Sequence, residues 1–217
     1  MRLFITFEGI EGCGKTTQVS LLKDFLETQG YRVVTTREPG GTRIGDTIRK
    51  ILLDAHNTDI DAKTELLLYQ ASRSQLIKEI IRPALEQEQI VLCDRFTDAT
   101  LAYQGYAHHL NRDMIENLNR CATDNLTPDC TILIDCPVEI GLKRARDRND
   151  AIRPDINEDR FEEKNAAFHQ KVRFGYLQLA EQHSTRIHIV DGRNDSSLVH
   201  QEIRREVLQK IEDRKRR

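Results

Sequence analysis

An α/β fold, a parallel sheet covered by helices on both faces, is predicted by three features of the sequence. Five short apolar runs of strand length, at residues 3–7, 32–35, 90–93, 131–134 and 187–190, alternate with longer amphipathic stretches. That rhythm is the pattern of strands joined by helical crossovers, which must run parallel. The first run leads straight into a glycine-rich turn and then a helical pattern, as in sheets that bind ligands at the carboxyl ends of their strands. Polar residues follow shortly after each run, namely Glu8, Arg37, Asp94, Asp135 and Asp191, where they can face a ligand.

Taken in order, the run at 3–7 precedes Gly9-Ile10-Glu11-Gly12-Cys13-Gly14-Lys15-Thr16, a full match to G-x-x-x-x-G-K-[ST]. Leu21, Leu22, Phe25 and Leu26 then recur at helical spacing. Successive backbone N–H groups and a helix N-terminus make such a turn a phosphate cradle, with Lys15 reaching terminal phosphates and the Thr16 hydroxyl placed to hold Mg²⁺. The chain is therefore expected to bind a nucleoside triphosphate. After the second run comes Arg37-Glu38-Pro39-Gly40-Gly41-Thr42, a turn whose backbone can approach another molecule closely. A helical pattern at 66–85 carries Tyr69 and Arg73 four residues apart, hence on one face. A flat base suits the aromatic ring, and its carbonyl or phosphate suits the arginine. The third run ends on Asp94-Arg95, a strand-end aspartate of the kind that supports Mg²⁺ beside an arginine able to grip phosphate. Tyr103-Gln104-Gly105 adds a ring able to wall a sugar and an amide able to read a base edge. Further helical patterns are read at 114–122, 138–146, 161–179 and 198–211, and the basic last five residues as a solvated helix end.

Residues 144–160 break the rhythm: Arg144, Arg146, Arg148, Arg153 and Arg160 alternate with acidic residues, and Pro154 interrupts any helix. By itself this is a solvated charged loop. Within a triphosphate-binding domain it suits a lid that closes when phosphates pair with its arginines.

At 217 residues the chain suits one domain carrying that lid segment. A net charge of −2 argues against a general nucleic-acid binder. No apolar run reaches membrane-spanning length and no signal-peptide pattern precedes the first strand, so a cytoplasmic location and no membrane partner are expected. Five cysteines without a C-x-x-C pair argue against disulfides and zinc. Cys13, beside a helix N-terminus, is expected to be the first thiol alkylated, with ATP protecting it.

Two function classes fit a phosphate loop: a phosphotransferase acting on a small nucleotide, and an ATP- or GTP-driven switch or motor. The Asn-Lys-x-Asp motif of a guanine-specific switch is absent from the sequence, and the chain has no room for a motor's partner domains. A kinase needs a second anionic pocket for its acceptor, and Arg37, Arg73 and Arg95 are placed to furnish one.

The ordered set Phe7-Glu8-Gly9-x-Glu11-Gly12-x-Gly14-Lys15-Thr16, Arg37-Glu38-Pro39-Gly40-Gly41-Thr42, Asp94-Arg95, Ala102-Tyr103-Gln104-Gly105 and Asp159-Arg160-Phe161-Glu162 resembles the bacterial thymidylate kinase family. The resemblance runs from the first strand to about Tyr176. It implies transfer of the ATP γ-phosphate to dTMP with Mg²⁺, a homodimer, and a five-stranded parallel sheet in the nucleoside monophosphate kinase variety of the P-loop fold. It implies ATP contacts along Gly9, Ile10, Glu11, Gly12, Cys13, Gly14, Lys15, Thr16 and Thr17, with Arg144 and Arg146 from the lid. Thr16, Glu11 and Asp94 are implied at the metal. On the dTMP side it implies Glu38, Pro39, Arg73, Arg95 and Gln104, with Tyr69 where the family usually stacks a phenylalanine on thymine. Thr100 falls near the base, and Tyr103 beneath the deoxyribose, where it would crowd a ribose 2′-OH. Lys15, Glu11, Arg95, Arg148 and Arg160 are the expected catalytic set, with Arg153 less strongly indicated. One family variant places an arginine inside the phosphate loop; here that position is Gly12, so the transition-state arginine must come from residues 144–160. Ser72 and Ala99 depart from the family's common aspartate and serine. A related nucleotide or deoxynucleoside kinase with another acceptor is the alternative.

Overall fold

A computed structural model describes residues 1–152 and 165–216, without the side chains of 148–152. Its centre is a five-stranded parallel sheet in the order β2-β3-β1-β4-β5. The strands are β1 (Leu3–Glu8), β2 (Val33–Arg37), β3 (Ile90–Asp94), β4 (Cys130–Asp135) and β5 (Ile187–Asp191). Each runs to the polar residue that the sequence places just beyond it, so Glu8, Arg37, Asp94, Asp135 and Asp191 are the last residues of their strands. Register sets Arg37 opposite Asp94 and Asp94 opposite Phe7, which brings their side chains to one level at the carboxyl edge.

The three central strands are buried on both faces, which is why they read as continuous apolar runs rather than alternating ones. Leu3, Ile5 and Phe7 pack with Val19, Leu22 and Leu26 of α1 (Lys15–Thr28). Phe4 points the other way, with Val91 and Cys93, onto Leu76, Ile81 and Leu85. Phe4 is 0% exposed and its ring meets Phe96 edge-on at 5.0 Å. Burying such a side chain stabilises by about 2–3 kcal/mol.

The helical pattern at 66–85 belongs to one longer run: α3 (Ala62–Leu76), a π-helical turn (Ile77–Ile81) and α4 (Arg82–Glu86). Two helical elements are additional to the sequence reading. One is α2 (Arg43–Leu53), capped by Thr42, whose hydroxyl accepts the Gly45 N–H at 3.0 Å. The other is α5 (Thr97–Thr100), continued by a second π-helical turn (Leu101–Ala107). Beyond them lie α6 (Arg112–Thr123), α7 (Val138–Ile152), α8 (Ala166–Gln182) and α9 (Ser196–Lys215). The loop conformation expected over 144–160 is corrected in its first half, since α7 continues through Ile152; residues 153–160 lie outside the described residues.

The connection after β1 leads to β2 on one side and the connection after β4 leads to β5 on the other. β3, the other neighbour of β1, likewise connects away to β4, so the crevice that holds the cleft opens above the carboxyl ends of β1 and β3, beside the glycine loop.

Candidate active site

At the end of β1 the chain turns through the glycine loop into α1. Gly14, at φ 103°, occupies the cap position, and no side chain caps the helix. The first N–H groups of α1 are thus left to an anion. Lys15 folds back over the loop, donating to the carbonyl oxygens of Gly9 at 3.1 Å and Ile10 at 2.9 Å. The Thr16 hydroxyl donates to Asp94 Oδ2 at 2.8 Å, joining the loop to the end of β3. Gly12 has φ 67°, and a Cβ there would stand 2.0 Å from the carbonyl oxygen of Gly141 in α7. A side chain at position 12 would force the loop and α7 apart, so this arrangement does not admit an arginine there.

Arg95 adopts φ 70°, a strained left-handed conformation for a non-glycine residue. Its N–H donates to Phe7 O at 2.9 Å, and its guanidinium donates to Glu11 Oε1 at 2.9 Å while lying 4.9 Å from the Tyr103 ring centre. The Tyr103 hydroxyl lies 2.7 and 2.8 Å from the two Glu11 oxygens. Burial raises the Glu11 pKa, but Arg95, His169 and Lys15 outweigh it and hold this carboxyl well below the usual range. Glu8, three residues earlier, goes the opposite way. Burial, reinforced by the charge of Asp98, pushes it up to about 8.

Across the cleft, Arg73 is 0% exposed. It donates to Glu38 Oε2 at 2.8 and 2.6 Å, to Asn119 Oδ1 at 2.8 Å, to Thr100 Oγ1 at 2.9 Å, to Phe96 O at 3.0 Å and to Gln70 Oε1 at 3.2 Å. A guanidinium has five N–H hydrogens, and these acceptors engage them all. Burial pushes the Glu38 carboxyl up, and Arg73 pulls it back. The Glu38–Pro39 peptide bond is cis, and Arg49 donates to Pro39 O at 2.9 Å. Burial also pushes the Tyr69 phenol up to about 12, so it stays neutral. Loop, Arg95 and this wall enclose a cleft of about 210 Å³.

A family model described as thymidylate kinase matches residues 7–203. The thymidylate kinase of Geotalea daltonii is 58% identical over 192 residues, 88% of this chain and 90% of its own. That of Trichlorobacter lovleyi is 52% identical over 209 residues, 96% and 98% of the two chains. The crystal structure of thymidylate kinase from Ehrlichia chaffeensis superposes with a TM-score of 0.75 at 34% identity, covering 94% of this chain and 98% of that one. This chain belongs to the thymidylate kinase family.

Of the residues that the family resemblance assigns to dTMP, all eight line the cleft: Glu38, Pro39, Tyr69, Arg73, Arg95, Thr100, Tyr103 and Gln104. Two of them are more committed than expected. Arg73, expected to meet the base or its phosphate, is the hub of a buried network. Gln104 donates its amide to Glu65 at 2.8 Å, so that hydrogen is not available to a base. Glu11, Gly12, Lys15 and Thr16 line the cleft from the loop side. The expected metal set, Thr16, Asp94 and Glu11, offers oxygen donors only, which suits Mg²⁺ held chiefly by substrate phosphates and water. Arg144 donates to Gly192 O at 2.8 Å, beside the end of β5. Arg146 is exposed, the Arg148 side chain is not described, and Arg153 and Arg160 lie outside the described residues.

Arg37, Asp94 and Ala99 also line the cleft, as do Arg49 and Leu53 of α2 and Phe96, and these last three were missed in the sequence. A signal for α2 existed, since Thr42 is a good cap and Ile44, Ile48, Ile51 and Leu52 recur at helical spacing. His169 and Tyr176 behind the site carried no such signal. The Cys13 expectation is corrected: Cys13 is 3% exposed, with its thiol 3.6 Å from the Lys15 ammonium, whereas Cys121 is the exposed cysteine.

Proposed function

We propose that the protein is a thymidylate kinase, moving the γ-phosphate of ATP to dTMP to give dTDP and ADP. The observation that carries this reading is one cleft uniting a phosphate loop with a walled second pocket, in a chain of this family. A switch needs no such acceptor wall. The loop N–H groups, Lys15 and Thr16 take the ATP phosphates, and Mg²⁺ bound by Thr16, Asp94 and Glu11 would neutralise phosphate charge there. Arg95 faces the same space from the end of β3 and takes the acceptor phosphate. Tyr69 stacks on the thymine, and Tyr103, pinned by its bond to Glu11, crowds a ribose 2′-OH. Arg73 acts chiefly by holding Glu38 and Thr100 in the wall. Since Gly12 leaves no space for a loop arginine, the remaining positive charge comes from residues 144–160, with Arg148 and Arg160 the candidates. The reading includes a homodimer.

Transfer of this kind is positioning and charge stabilisation rather than covalent help from the protein. A coupled ADP-release assay across dTMP, dUMP, dCMP, dGMP, AMP and thymidine tests it. Turnover should be fastest with dTMP and absent without an acceptor. Equal ADP release with no acceptor would support a switch instead.

A further inference from the structure

Helix α8 sends two buried side chains, His169 and Tyr176, to the two members of the Glu11–Arg95 pair. His169 is 0% exposed and Tyr176 3%. They lie seven residues apart, about two helical turns, and so on one face of α8. Tyr176 takes the Arg95 end. Its hydroxyl oxygen accepts from Arg95 Nη1 at 3.1 Å and its hydrogen goes to Glu8 Oε2 at 2.8 Å. The hydroxyl rotor is thereby fixed, with a lone pair toward the guanidinium. Glu8 Oε1 accepts the N–H of Phe96 at 2.7 Å, the residue directly after Arg95. One buried carboxyl therefore grips Arg95 twice, through the tyrosine at its side chain and through the backbone beside its strained φ. His169 takes the other end, its Nδ1 lying 3.2 Å from Glu11 Oε2. Among the described residues, Glu11 then meets Arg95, Tyr103 and His169.

None of Glu8, His169 and Tyr176 lines the cleft. Arg95 and Glu11 do, and both carry long flexible side chains whose value to phosphoryl transfer depends on aim. Their ion pair at 2.9 Å ties them only to each other, and a tethered pair could still swing as a unit. Fixed from behind, they present the same faces to every substrate molecule. We propose that α8 is the positioning element of this site: Tyr176, backed by Glu8, aims Arg95, and His169 aims Glu11, so that both set the rate of transfer without touching substrate. This rests on the kinase reading above.

The test is steady-state kinetics with ATP and dTMP on the full chain. Tyr176→Phe keeps the ring and removes the hydroxyl; kcat should fall about tenfold while both KM values stay within about twofold, the split expected when aim rather than binding is lost. In an Arg95→Lys background the same change should cost less than about twofold, because its effect passes through Arg95. His169→Leu should also lower kcat about tenfold, and His169→Asn, whose amide nitrogen can stand near the Nδ1 position, should recover most of that loss. Unchanged kcat in Tyr176→Phe, equal losses in both Arg95 backgrounds, or a His169→Asn variant as poor as His169→Leu would each overturn the proposal. Should Tyr176→Phe fail to fold, the paired histidine variants decide alone. A wild-type chain inactive on dTMP overturns the kinase reading and this inference with it; an active wild type with unaffected variants overturns the inference only.

Discussion

On the proposed donor side of the cleft, the glycine loop offers backbone N–H groups and Lys15, whose ammonium rests on two neutral carbonyls. On the acceptor side they are side chains, and Arg73 at their centre is an ion pair partner wholly inside the protein. The first arrangement can release its lysine to a phosphate at small cost, because neutral carbonyls are weak partners for an ammonium in competition with phosphate. The second cannot release anything. A buried guanidinium left without its carboxylate is one of the more expensive defects in a folded chain. The donor side is thus built to exchange partners, and the acceptor side to keep a shape.

Substitutions on the two sides should separate activity from stability. Lys15→Ala removes a charge whose hydrogen-bond partners in the protein are neutral carbonyls, so its main work is expected with phosphate bound. Turnover should fall about 10³-fold or more, with little change in the urea midpoint. A large stability loss would mean that the lysine is structural after all. Arg73→Ala should instead unfold the wall, costing about 3–5 kcal/mol in urea denaturation; a loss below about 1 kcal/mol would show that Glu38 and Asn119 find other partners. Gly12→Ala probes the seam between loop and α7. The left-handed φ and the close Gly141 carbonyl together should cost about 1–3 kcal/mol and lower activity. A neutral result would mean that loop and helix separate easily.

The smallest effect is one of pH. Glu8 titrates near 8 in the folded chain and near its ordinary 4.5 when unfolded, because burial disfavours its charge. The folded state then holds the proton more tightly, so this group's contribution is fully present below pH 4.5 and is lost as pH rises toward 8. Glu8→Gln has nothing to titrate there. The stability of wild type minus that of the variant should therefore decline across that window, and a flat difference would place the Glu8 pKa near its ordinary value.

Legibility follows the same division. The phosphate loop could be read in full because backbone geometry imposes glycine, lysine and threonine at fixed spacing. The strands could be read because burial on both faces leaves only apolar residues, and their polar ends marked the edge where ligands collect. The wall was legible as a set of residues but not as a network. Nothing in the spacing of Glu38, Arg73, Thr100 and Asn119 says that one guanidinium joins them, since they come from separate elements. The run at 97–107 and helix α2 went unread: the first is a short helix continued as a π-helical turn, and the second hides behind a glycine turn.

By itself the sequence determined the fold class, the strand order's raw parts and the chemistry of the loop, because each depends on local pattern alone. Tertiary structure decided the rest. It brought Gly141 against Gly12 and so closed the loop to an arginine. It buried Arg73, set Arg95 at a positive φ, and placed His169 and Tyr176 behind Glu11 and Arg95. These are contacts between residues far apart in the chain, where the low dielectric of the interior makes a partner's identity matter most.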